Sequence, residues 1–145
     1  HIVGDGACRG DLVNLARKLR IEDSIIFHGR ISGALVDTVF DMDVFVMPGL
    51  GGLAVSDALS HGIPVICGIG DGCEVDLINE TNGIRDDLLD EKKLLHYLIQ
   101  LKKTPEVLTE MKVNAKNTIL RYNISNYVNQ INCALEYATR NNNDL

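Results

Sequence analysis

No apolar run in this sequence approaches the roughly 20 residues that a helix needs to cross a bilayer, which excludes a helical membrane span within it. Clustered Lys and Arg are missing as well, and the net charge of −6 argues against a nucleic-acid surface. Small molecules or other proteins are the expected partners. The chain does not open on a charged-then-apolar leader, so no secretion signal is expected. Its four cysteines, Cys8, Cys67, Cys73 and Cys133, form no CxxC pair, and no histidine stands at zinc-ligand spacing from them. They read as reduced thiols of a cytoplasmic protein. Asn79-Glu80-Thr81 and Asn123-Ile124-Ser125 then match the glycosylation acceptor pattern by chance. Internal repeats and low-complexity linkers are also lacking.

What is present suits one globular domain over residues 1–145, since 46% apolar residues can bury a real core. The first half alternates short apolar runs with helical patterns. Ile2-Val3 leads into Gly4-Asp5-Gly6, and Leu12, Leu15, Ala16 and Leu19 mark a helical face. Ser24 to Phe27 is a second apolar run, ended by Gly29, and a short helix is expected from Gly33 to Phe40. Val44 to Met47 makes a third strand, Leu53 to Ser60 a helix stopped by Gly62, and Pro64 to Cys67 a fourth strand. This alternation predicts an α/β fold, a Rossmann-like parallel sheet flanked by helices. Beyond a turn and short strand at Asn82-Gly83-Ile84 the pattern is helical only, giving a helical C-terminal segment. Leu94, Leu95, Leu98 and Ile99 mark one side of a helix over Lys92 to Leu101. Thr104-Pro105-Glu106 reads as N-cap, first-turn proline and acidic first turn of a helix reaching about Leu120. A last helix carries Val128, Ile131, Ala134, Leu135 and Ala138, and the polar tail from Arg140 to Leu145 is expected to fray.

The stretch Val44 to Leu53 carries the most chemistry. A strand ends at Pro48, glycines clear the turn, and a helix begins. Unpaired N–H groups and the helix dipole both favour an anion there. The turn is neither a Walker loop nor a GxGxxG fingerprint, so a tight turn alone explains it equally well. Asp57 lies one helical turn beyond Leu53 among Ala, Val, Leu and Ser, either as a solvated charge or as an acceptor for ribose hydroxyls.

Four blocks occur in order: Ile2-Val3-Gly4-Asp5-Gly6, Ile26-Phe27-His28-Gly29-Arg30-Ile31, Asp43-Val44-Phe45-Val46-Met47-Pro48, and the stretch from Gly52 to Ile66. Together they resemble the C-terminal, donor-binding domain of GT-B-fold glycosyltransferases of the group 1 or family-four type, over residues 1 to about 138. The resemblance implies a retaining transfer of sugar from a nucleoside diphosphate, with no cofactor and no essential metal. It assigns the diphosphate to the backbone of Gly51, Gly52 and Leu53, the ribose to Asp57, and the nucleobase to Gly29, Arg30 and Ile31. Gly4 to Gly6 would shape a neighbouring strand end, and Glu74 would face the cleft rim.

The chain departs from the family in two places. Of the family's two glutamates eight positions apart, the first falls on Gly49 and the second is Asp57, one methylene shorter. The first touches the transferred sugar in the family, so no catalytic residue is assigned. The family's opening strand and helix, with an Arg and a Lys for the diphosphate, and its N-terminal acceptor domain are expected to lie outside this chain. The chain alone is then expected to be inactive, and the parent to use a carbohydrate or lipid-linked acceptor, as in polysaccharide biosynthesis. Its expected place is the cytoplasm or the inner face of a membrane, held peripherally. Alternatives are a GT-B-fold nucleotide-sugar epimerase and a non-catalytic nucleotide-sugar-binding module. Asp41-Met42-Asp43 has the form of a metal-binding acidic pair but stands at a strand entrance, away from the ligand end. His28 and His61 read as turn or surface histidines.

Overall fold

The structure, a computed structural model, describes residues 1–31, 41–49, 52–70 and 72–141. It divides into two compact units, His1–Asp41 and Met42–Leu145. The expected helix over 33–40 lies outside the described residues.

In the first unit, β1 (Ile2–Val3), α1 (Arg9–Leu19) and β2 (Phe27–Gly29) form a parallel strand–helix–strand unit. Ile2 lies opposite Phe27 and Val3 opposite Gly29. The second strand starts later than its apolar run. Ser24 N bonds Ile21 O and Ile25 N bonds Glu22 O, closing a 3-10 turn at Glu22–Ser24. Of the apolar face of α1 only Ala16 is buried, while Leu12, Leu15 and Leu19 stay exposed.

The second unit is built on three parallel strands in the order β3 (Phe45–Met47), β4 (Val65–Cys67), β5 (Gly83–Arg85). β4 sits between its neighbours, and Val65, Ile66 and Cys67 are all buried. An uninterrupted apolar triplet suits a parallel strand covered on both faces. Val55, Ala58 and Leu59 of α2 (Leu53–Ser60) bury beside it, and α2 leaves through Gly62 as expected. A five-residue helix, α3 (Cys73–Leu77), follows β4 and has no counterpart in the sequence expectations.

The helical half agrees in order and differs in facing. α4 (Glu91–Lys103) turns Leu94, Tyr97 and Leu101 to Ile66 and Met111, leaving Leu95, Leu98 and Ile99 exposed. A polar contact sets that rotation: Tyr97 Oη donates to Asp86 Oδ2 at 2.8 Å, which holds the Tyr97 face inward. Thr104 does precede α5 (Pro105–Leu120), but its hydroxyl donates back to Gln100 O at 2.9 Å. One residue closes α4 and opens α5, and its hydroxyl serves the first. Side-chain caps stand elsewhere, at α4, where Asp90 Oδ1 accepts from Lys93 N at 2.8 Å, and at the helix from Ile124 to Asn141, where Asn123 Oδ1 accepts from Asn126 N at 2.9 Å. α6 (Ile124–Asn141) leaves its apolar stripe, including Val128, Ile131 and Leu135, exposed. Arg140 stays helical, paired with Glu136 at 3.4 Å, while residues 142–145 of the tail expected to fray lie outside the described residues. Among the described residues no helix is long and apolar enough to cross a membrane.

Two polar clusters lock the second unit. Asn82 is fully buried: its Nδ2 donates to Leu77 O at 2.8 Å and to Thr118 Oγ1 at 2.9 Å, and its Oδ1 accepts from Asn79 N at 2.9 Å. It joins the end of α3, the start of β5 and α5. Removing it leaves buried partners unsatisfied, so Asn82→Ala is expected to lower the unfolding free energy by about 2–3 kcal/mol. Chemical denaturation reads this, and a loss of only a few tenths of a kcal/mol would show that the junction holds without it.

The second cluster is Asp86, whose carboxylate takes Lys93 Nζ at 2.9 Å, Tyr97 Oη at 2.8 Å and Leu88 N at 2.9 Å. The Lys93 hydrogen bond first, then those of Tyr97 and Leu88, hold its carboxyl below the usual carboxylate range. A depressed acid contributes stability that is complete above its unfolded value, about 3.9, and fades as pH falls through the folded one. Thermal midpoints of the wild type are therefore expected to drop on acidification below about pH 4. Asp86→Asn is expected to start lower at neutral pH and to fall less steeply. Parallel curves for the two proteins would remove Asp86 from the acid response.

Candidate functional site

Because β3, β4 and β5 are parallel, their carboxyl ends point the same way, and the loops that leave them meet. Pro48 and Gly49 after β3, Gly68 and Ile69 after β4, and Asp87 and Leu89 after β5 line a cavity of about 280 Å³. Ligands of open parallel sheets collect in such crevices. Gly49, where the sequence lacks an acid, is in this wall, and so is the carboxylate-bearing Asp87, whose Oδ1 lies 3.9 Å from Arg85 Nε.

The glycine turn enters α2 through Gly52, at φ 97° and ψ −144°. A side chain is strained there, which accounts for the glycine. Val55 N donates to Gly52 O at 3.0 Å. Among the described residues the N–H groups of Leu53 and Ala54 have no acceptor, as expected for a helix start, and the Leu53 side chain is exposed. Gly51 lies outside the described residues.

Gly52 is not an open donor. Its N–H donates to Glu74 Oε1 at 3.1 Å, and Cys73 Sγ donates to Gly52 O at 3.4 Å. Consecutive residues of α3 thus hold both polar groups of one glycine. Glu74 is 2% exposed, so it lies beneath the turn instead of at the cleft rim. The first turn of α2 contains no acidic residue, and this carboxylate supplies the negative group that a helix start favours. Burial pushes the neighbouring Cys67 thiol up, and the charge of Glu74 adds to the shift, so Cys67 stays a neutral core thiol.

Asp57 is exposed one helical turn beyond Leu53, with buried Val55, Ala58 and Leu59 on the opposite face of α2. Its apolar sequence neighbours therefore do not surround its carboxylate. The His61 ring lies against the Asp57 carbonyl, Nδ1 to O 2.8 Å, at the end of the same helix. In the first unit, Gly29 ends β2 with its carbonyl accepting from Gly4 N at 2.7 Å, so the two glycine-marked strand ends are neighbours as expected. Arg30 is exposed and Ile31 half-buried just beyond them. His28 meets His1, Nε2 to Nδ1 3.0 Å. Asp43 of the rejected acidic pair is bound by Lys112 Nζ at 2.7 Å, a link from the entrance of β3 to α5.

The buried acid was the residue that sequence reasoning undervalued. Its signal is Gly70 and Gly72 just ahead of Cys73-Glu74, where an added Cβ would stand 2.8 and 3.5 Å from atoms of the Glu74 side chain.

The family model described as glycosyl transferases group 1 matches residues 1–118. No curated protein matches the chain in sequence. Among solved structures, the apo lipopolysaccharide outer core galactosyltransferase WaaB is similar with a TM-score of 0.79 at 21% identity, covering 95% of this chain and 40% of that one. Anabaena HepE in complex with UDP is similar with a TM-score of 0.75 at 18% identity, covering 93% and 40%. Sucrose-phosphate synthase from Thermosynechococcus elongatus gives 0.71 at 19%, covering 94% and 38%. These likenesses establish the fold, and the chain spans about 40% of the length of the first of them. A strand–helix order, a glycine turn at the carboxyl end of the sheet and a family model matching residues 1–118 of 145 all agree: this chain belongs to the group 1 glycosyl transferases.

Proposed function

We propose that the chain is the donor-binding part of a retaining glycosyltransferase that takes sugar from a nucleoside diphosphate. The observation that carries this is the start of α2, where the N–H groups of Leu53 and Ala54 open at the carboxyl end of the sheet. On this reading the turn of Gly51, Gly52 and Leu53 faces the diphosphate, Leu53 and Ala54 donate to it, and Asp57 accepts from the ribose hydroxyls. As the glycosidic bond breaks, negative charge grows on the leaving diphosphate, and fixed N–H donors with the helix dipole offset it without reorganising. The leaving phosphate takes the acceptor's proton on the face where the acceptor attacks. No metal or cofactor is needed for that step.

HepE is described in complex with UDP, which favours a uridine donor here. An accompanying acceptor domain would hold the carbohydrate or lipid-linked acceptor, and the cytoplasmic face of a membrane is the proposed place of work.

Calorimetric titration of the chain with UDP, GDP and ADP, beside an Asp57→Ala variant, tests the reading. Saturable binding of one nucleotide is expected, weakened about tenfold or more in the variant because charged hydrogen bonds to ribose are lost. Equal binding by both proteins would remove Asp57 from the site. Failure of wild type and full-length parent alike to bind any of the three would leave the glycine run as a turn only.

A further inference from the structure

The turn that leads into α2 is held from below by a residue on another loop. Gly52 reaches its carboxylate partner across 22 positions of sequence, N to Oε1 3.1 Å, and that partner, Glu74, is 2% exposed. A glutamate three residues into a helix can reach back to the N-cap amide and close a capping box. In α2 that position, counted from Gly52, is Val55, which cannot do so. Glu74 performs the same task from outside the helix.

The packing around the carboxylate is built for it. A Cβ on Gly70 would stand 2.8 Å from Glu74 Cβ and 3.2 Å from Oε2, so only glycine lets the chain wrap this side chain so closely. Cys73 fixes the other polar group of Gly52. A buried carboxylate left without donors is strongly disfavoured, so its placement on this amide is a specific one.

We propose that Glu74 is a positioning residue for the phosphate turn: by holding the Gly52 amide it aims the N–H groups of Leu53 and Ala54 at the anion. The proposal rests on the donor-site reading and deepens it. Glu74 touches no substrate in this scheme, because its carboxylate is buried on the Gly52 amide, whereas the N–H groups proposed to meet the anion are those of Leu53 and Ala54. Its charge also opposes an incoming phosphate, so what the site needs from it is an acceptor oxygen in the right place. A neutral amide supplies that equally well.

The test compares wild type, Glu74→Ala, Glu74→Gln and Glu74→Asp by titration with UDP and with uridine, which lacks phosphate. Ala is expected to weaken UDP about tenfold or more, the worth of a hydrogen bond to a charged group, and to leave uridine within about twofold. Gln keeps the acceptor at full reach and is expected to stay within about threefold of wild type for UDP. Asp keeps the charge but falls one methylene short, so it is expected to resemble Ala. Should Ala fail to fold, Gln and Asp still decide: Asp intact with Gln impaired would overturn the proposal in favour of charge. Equal losses for UDP and uridine would overturn it in favour of general destabilisation. Full UDP affinity in Glu74→Ala would overturn this proposal alone, whereas no UDP binding by wild type would overturn the donor-site reading and this one with it.

Discussion

The hydrogen bond between the Gly52 amide and the buried Glu74 carboxylate ties together loops that leave two different strands. One follows β3 and becomes α2; the other follows β4 and becomes α3. Parallel strands place such loops at one end of a sheet but do not fix their height or direction, because each loop is free to lean. A buried acceptor under one amide removes that freedom. It also explains the neighbours: glycine at position 70 because the side chain is wrapped tightly, glycine at 52 because the backbone enters the helix at positive φ.

The rest of the second unit keeps that acid in place. β4, buried along its length, fixes where the loop to α3 starts, and Asn82 fixes where α3 ends by bonding Leu77 O and Thr118 Oγ1. Thr118 belongs to α5, which in turn carries Lys112 to Asp43 at the entrance of β3. The Asp86 cluster does the equivalent for β5, setting the loop with Asp87 and Leu89 that closes the cavity wall. The turn that enters α2 is thus held directly by Glu74 and Cys73, while Asn82 and Asp86 anchor the neighbouring loops to a core built mainly from α2, β4, α4 and α5.

Those long-range contacts are what the linear sequence hid. The stop at Gly62 and the apolar triplet of β4 are local signals, and β3, α2, β4 and β5 emerged within a residue or two of their expected places, while β2 begins three residues later than its apolar run. The facing of α4 did not, because Tyr97 looks like one more large residue until its hydroxyl is seen to meet Asp86 eleven positions earlier. Thr104 looked like a cap for the helix after it and serves the helix before it, since both meet at one residue. Ser24 belonged to an apolar run by composition but is caught in a turn by its backbone bonds. Glu74 was visible, and the resemblance placed it at a rim. Nothing within five residues of it shows that its partner is an amide 22 positions away. The glycine turn and Asp57 were legible as candidates because their chemistry is local, a helix start and a carboxylate one turn on.

Charge gives the last constraint on the proposed site. A nucleoside diphosphate is an anion, and the chain it would approach carries a net −6, with one of its carboxylates set at the turn itself. The long-range field of this chain therefore works against capture, since screening leaves little of the repulsion beyond about 8–10 Å but does not reverse its sign. What remains is short-range: N–H dipoles fixed at a helix start, effective only at contact distance and only if their direction is right. A site of that kind tolerates little rotation of its turn. A buried acceptor fixed at the turn answers that need for direction, and basic groups from outside this chain would relieve the charge deficit without replacing the geometry.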